Sequence, residues 1–339
     1  MTNRDIIINS VKGDGPHDKL IKTIRAAIIE KEKLSKTEKE KVASVLGDIL
    51  CLGKESVYRR LRGEVRFSFE EVALISQELG FSVDNIIGSQ ADKKAIVELN
   101  LFESSHTNIL FAKKFEEYVS LVSKISQMEN STARCALSGF PVVLSHDYED
   151  LIKLRFFKWL YQMNGYTIPF KEFELEEELL NLHRAFANEF KKMKNVQMIL
   201  NHDIYSSIIR DINYFYDLNL LDNEDLNLIR SELNEMLTEI ENISISGTYG
   251  TTDSKIVLYL SHIEIDSTYF LLEARNFQQA YISLYDLNGI HSLDPSICKN
   301  HSLWIESLKR YSTLITFGGE FQRHKFFKEQ RKLINSIVP

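Results

Sequence analysis

Cys51-Leu52-Gly53-Lys54-Glu55-Ser56-Val57-Tyr58-Arg59-Arg60-Leu61-Arg62-Gly63 organises the first quarter of the chain. Val57 and Leu61 lie four residues apart, so they share one side of a helix whose other positions are mostly polar. Gly63 can take the left-handed conformation that ends such a helix. Just upstream, Val42, Val45, Leu46 and Ile49 recur at helical spacing behind a Thr37-x-x-Glu40 capping box. Only Cys51, Leu52 and Gly53 separate the two runs. The pattern predicts a helix, a three-residue turn and a second helix anchored by Val57 and Leu61.

Working outward, the flanking sequence adds more short helices. Leu20, Ile21, Ile24, Ala27 and Ile28 share a face between Asp18 and Glu30. Ser68-x-x-Glu71 is a second capping box; it opens a helix with Val72, Ile75 and Leu79 inward and Gly80 at its end. A short fifth helix is expected from Ser82 through Ile86 and Ile87. The polar run Gly88 to Lys94 reads as a boundary, so residues 1–88 are expected to be a small five-helix domain.

With Val57 and Leu61 inward, Lys54, Glu55, Ser56, Tyr58, Arg59 and Arg62 project outward or sideways. Residues 54–66 contain five basic and two acidic side chains. Two helices joined by a tight turn let the second lie in a DNA major groove while the first braces it. In that reading Lys54, Arg60 and Arg62 contact phosphates, as does the Ser56 hydroxyl, while Glu55, Tyr58 and Arg59 reach base edges. The alternative is a solvated basic helix in an ordinary bundle, that is, a protein-interaction or adaptor module whose head does not bind DNA.

Residues 17–88 resemble the phage-repressor/Cro-type (XRE-like, lambda-repressor-like) helix-turn-helix domain. More narrowly, Glu55 to Glu64 followed by Phe67-Ser68-Phe69-Glu70-Glu71 is similar to a group of bacterial helix-turn-helix transcriptional regulators. Ser312-Thr313-Leu314-Ile315, Gly318-Gly319-Glu320 and Arg323-His324-Lys325-Phe326-Phe327 match a pattern near the C-terminus of that group. The resemblance implies sequence-specific binding to double-stranded DNA. Two departures stand at the turn: Cys51 occupies the usual glycine position, and Gly53 the usual serine N-cap.

Beyond the boundary the expectation is a helical middle, 96–242, and a C-terminal α+β region, 243–339. Residues 96–128 read as a helix or helix pair, with Phe111, Phe115, Tyr118, Val122 and Ile125 on one seam, as plain core packing predicts. An extended piece is expected near Phe140–Leu144, then helices at 148–163, 172–194, 201–217 and 222–241. Ile256–Ile265, Tyr269–Ala274 and Ala280–Leu287 read as an antiparallel meander, followed by helices at about 295–310 and 319–337. The predicted fold class is therefore mainly α.

Composition bounds the rest. The chain has 339 residues, 44% hydrophobic and 26% charged, with a formal net charge of −7, so it is ordered and is no general polyanion binder. Residues 1–90 hold 15 basic and 14 acidic side chains, leaving the acidity to the remainder. No apolar run is long enough for a membrane span, and the N-terminus lacks a secretory pattern. The three cysteines lie too far apart for a disulfide scaffold or a cysteine zinc cluster. The histidines, including His146-Asp147 and His202-Asp203, lack ligand spacing, and no catalytic or nucleotide loop motif occurs. Gly318-Gly319 before a helix with Arg323 one turn on reads as a tight connection, with an anion site as the alternative. The expectation is a cytoplasmic, non-enzymatic, homodimeric DNA-binding regulator without cofactor or metal. An effector or partner site, for a small molecule or a protein, is expected within 96–339.

Overall fold

A computed structural model describes residues 15–31, 39–81, 83, 86, 97–100, 107–165, 167–250, 252–275 and 277–337. The chain divides into two compact units, Met1–Lys94 and Ala95–Pro339.

In the first unit four helices are described: α1 (Pro16–Lys31), α2 (Lys39–Leu50), α3 (Lys54–Leu61) and α4 (Phe69–Leu79). Ile24, Ile28, Leu46, Val57 and Ile75 meet in one core. The apolar spacing in the sequence thus becomes the packed face of each helix. Ser68 and Glu71 form a reciprocal capping box at the start of α4, and Gly80 closes that helix at φ 72°. Thr37 of the upstream capping box lies outside the described residues. So does the expected fifth helix, apart from Val83 and Ile86.

The second unit overturns the expectation of a mainly α chain with a helical middle. Eight strands form one mixed sheet in the order β1-β7-β6-β5-β2-β3-β4-β8. Three of them come from residues 96–242: β1 (Glu98–Asn100), β2 (Thr132–Leu137) and β3 (Asn195–Leu200). The others are β4 (Lys255–Ser261), β5 (Tyr269–Ala274), β6 (Phe277–Leu284), β7 (Asn288–Ser292) and β8 (Ser312–Leu314). The segments on either side of residue 243 are therefore joined by strand pairing. The Ile256–Ile265 run does not start a meander. Its strand β4 pairs in parallel with β3 and antiparallel with β8, while β5, β6 and β7 form the antiparallel neighbours.

The parallel strands β2, β3 and β4 need long crossovers, and helices supply them. After α5 (Thr107–Ser126) and β2, α6 (Glu149–Asn164) and α7 (Glu177–Phe190) lead to β3. Then α8 (Ser206–Asp217) and α9 (Asn223–Ser246) lead to β4. In register, Cys135, Met198 and Leu258 sit side by side, with side chains in the larger core. On the opposite face Ala136, Ile199 and Leu271 pack under α10 (Pro295–Lys309) through Cys298, Ile305 and Leu308. The last helix, α11 (Glu320–Asn335), adds Phe326, Phe327 and Ile334 to the larger core.

The α5 seam is core packing: Phe111, Val122 and Ile125 are buried. The extended piece expected near Phe140–Leu144 is a 3-10 turn, Val142–Leu144.

Candidate nucleic-acid interface

The turn between α2 and α3 is built by a close approach. Leu52 N donates to the Gly47 carbonyl at 3.0 Å, and a Cβ on Gly47 would stand 3.0 Å from the Leu52 carbonyl oxygen. Glycine inside α2 is therefore what lets the chain fold back so tightly, at the usual helix-propensity cost. Cys51 takes the left-handed conformation with φ 52°, an arrangement that costs a Cβ-bearing residue about 1–2 kcal/mol. Gly53 is the N-cap of α3 and offers no side-chain cap.

From that turn α3 buries Val57 and Leu61 and exposes Lys54, Glu55, Ser56, Arg59 and Arg62; Tyr58 is half-buried. Arg25 on α1 donates to the Leu61 carbonyl at 3.0 Å and so caps the far end of the helix.

The arginines divide into two kinds. Arg60 faces α4, not solvent. Its Nε and Nη2 donate to the two Glu71 carboxylate oxygens at 3.1 and 2.7 Å, and both side chains are more than four-fifths buried. The same carboxylate accepts the Ser68 N–H at 2.9 Å. Arg60 is thus a strut between α3 and the capped start of α4, which removes it from the residues assigned to phosphates. Burial alone would raise the Glu71 pKa, but the bonds from Arg60 and the Ser68 N–H outweigh it and hold the carboxyl below its ordinary value.

Arg59 and Arg62 stay at the surface. Arg62 donates to Glu64 at 2.6 Å and to Glu55 at 3.2 Å, and Arg59 lies 3.6 Å from the other Glu64 oxygen. Exposed pairs of this kind are worth about 0–1 kcal/mol. Both guanidinium groups can therefore exchange a carboxylate for a phosphate or a base edge at little cost. Sequence reasoning missed Gly47 and Arg25, and read Glu71 only as the capping partner of Ser68, not as the partner of Arg60. A glycine within an apolar-periodic helix was the one available signal, and it points to close packing.

The second unit holds no comparable surface motif among the described residues. His146 and His183 are buried against each other, Nδ1 to Nδ1 at 2.6 Å. Burial first, then the Arg155 charge, pushes His146 down to about 3, so it stays neutral. Among the described residues no group of three or more His, Cys, Asp or Glu could hold a metal ion. Of the two glycines before α11, Gly319 serves a tight connection, since a Cβ on it would collide with the Leu314 carbonyl, and Arg323 donates to the Ile315 carbonyl. No described helix is long and apolar enough to cross a membrane. No protein-family model, curated protein or solved structure matches the chain.

Proposed function

We propose that the protein is a one-component, cytoplasmic, DNA-binding transcriptional regulator of the XRE-like kind, with α3 as the helix that enters the major groove. One observation carries this reading. A tight α2–turn–α3 unit buries only Val57 and Leu61 of α3 and leaves Lys54, Glu55, Ser56, Arg59 and Arg62 together on its outer side. Lys54 and Arg62 are assigned to phosphates, Arg59 and Glu55 to base edges, and Tyr58 to the side of the groove.

Such a head covers one half-site, and operators are commonly read as two. The second unit is therefore proposed to hold a homodimer together. Phe317 and Phe321, both exposed at 76% around the start of α11, offer apolar contact surface for it. Titration of the full chain into the DNA upstream of its own coding sequence, against a scrambled duplex, tests both points. Preferential binding with two chains per duplex is expected; equal affinity for both duplexes refutes specificity.

A second reading has its own support. Glu55 and Glu64 neutralise Arg59 and Arg62, and Phe69 is 80% and Leu74 52% exposed on α4. An acid-balanced surface beside exposed apolar side chains suits a protein partner. Absence of binding to any duplex favours that adaptor role.

A further inference from the structure

Between the β5–β7 half of the sheet and helices α5 and α6, the second unit is incompletely filled. The space measures about 330 Å³, at the small end of the range for ligand sites. Phe270, Leu272 and Tyr281 form its floor, and Phe111, Phe115 and Leu154 stand over them. It reaches the carboxyl end of β2, where Gly139 lies so close to α8 that a Cβ would meet Ser207 Oγ at 3.3 Å. Crevices at the carboxyl ends of parallel strands are the usual binding places in open α/β sheets.

Strand alternation on β6 turns Gln279 toward the same face as Tyr281 and Ser283. Gln279 is 8% exposed and lines the cavity. Its carboxamide has no hydrogen-bond partner among the described residues. Apart from the Ser207 hydroxyl, most other polar groups of the lining are occupied. Ser138 pairs with Thr268, and Tyr118 with Asn100. Arg155 pairs with Asp286, and Lys158 with both Asp211 and Asp286. Lys114 is held by Glu117.

The lining thus offers apolar surface, two spare neutral polar groups (the Gln279 carboxamide and the Ser207 hydroxyl) and charges that are already paired. The largely buried pairs of Arg155 and Lys158 would have to be broken to receive an ionic ligand, at a penalty of several kcal/mol. Only Lys114, held by the exposed Glu117, could turn to an anion. Water would find few partners along these walls.

We propose that this cavity binds an uncharged, largely apolar small molecule whose carbonyl, amide or hydroxyl group pairs with the Gln279 carboxamide. Such a molecule is the effector class that the regulator reading calls for, and in that respect the assignment rests on that reading. The binding itself is measured without DNA, so its failure and the failure of DNA recognition are separate results.

The test uses the full chain and the uncharged ketone dye prodan, with the anionic dye anilinonaphthalenesulfonate as the charged comparison. Saturable binding of prodan with blue-shifted emission is expected, and the sulfonate dye should bind more weakly. Gln279→Leu keeps the volume and removes the hydrogen bond, so prodan affinity should fall roughly 2- to 12-fold. Ser207→Phe places a ring in the lining beside Gly139; with folding checked by its melting temperature, it should weaken prodan at least tenfold. Absence of saturable prodan binding overturns the proposal. So does wild-type affinity in Ser207→Phe, or tighter binding of the sulfonate dye.

Discussion

Replacing Arg60 by Ala should cost stability before it costs anything else. The side chain and its partner Glu71 are 17% and 18% exposed and share two charge-assisted bonds. An exposed ion pair contributes about 0–1 kcal/mol, while breaking a fully buried one costs about 3–5 kcal/mol. Glu71 keeps the Ser68 N–H and gains some water, so the loss should sit between those bounds, at about 2 kcal/mol. For a unit of this size each kcal/mol lowers the melting temperature by about 4–8 °C, which puts the first unit roughly 8–16 °C lower.

The pH dependence follows from the same pair. Glu71 titrates below its ordinary value in the folded state, so the stability it contributes is full above its unfolded pKa and is lost as pH falls through its lowered folded pKa. Arg60→Ala should flatten that acid-side decline. Thermal melts followed by circular dichroism, with hydrogen exchange to localise the loss to residues 15–81, read both effects. Arg59→Ala, at an exposed position, should melt like the parent protein. An Arg60→Ala protein with parental melting temperature and pH profile would refute the strut.

Two further outcomes follow from local geometry. Glu232 on α9 accepts the Leu151 N–H at 2.9 Å and so caps α6 from another helix; burial, opposed by that backbone bond, pushes its carboxyl from 4.5 up to about 7. A folded pKa above the unfolded one gives stability that is full below about 4.5 and lost as pH rises through 7. Glu232→Gln keeps the acceptor oxygen and should flatten the stability profile across that window; an unchanged slope by chemical denaturation would count against the assignment. Cys51→Gly relieves the left-handed strain and adds unfolded-state entropy, for a net gain of about 0.5–1 kcal/mol. A lower melting temperature in that variant would show that the Cys51 side chain contributes more than its backbone costs.

The head was legible because its signals are local. Val57 and Leu61 at helical spacing, the Ser68–Glu71 box and Gly80 each specify structure within a few residues. The fate of Arg60 was not legible, since its partner lies eleven residues on and only packing brings the two together. The sheet was lost for a different reason. Thr132–Leu137 and Asn195–Leu200 are buried on both faces at their carboxyl ends; the first relies on Ala, Cys and Leu, the second on Val, Met, Ile and Leu. They show neither clean alternation nor a β-branched run, so periodicity cannot separate them from short helical pieces. Ile256–Ile265 did read as a strand, but its neighbours are set by two crossovers that no local pattern reveals. Gln279 falls just outside the expected strand Ala280–Leu287, and only the observed strand Phe277–Leu284 places it in a lining shared with Phe115 and Tyr281.

The central claim is that α3 meets DNA through Arg59 and Arg62 while Arg60 holds it in place. Fluorescence anisotropy of the full chain on its own upstream duplex, repeated across a salt series, tests this directly. Arg62→Ala should melt normally, bind more weakly, and flatten the log–log salt dependence by about 0.9, the slope that one neutralised phosphate contributes. Arg59→Ala should also bind more weakly and lose preference for the native sequence over a scrambled one. Unchanged affinity and salt slope in both single variants would contradict the account.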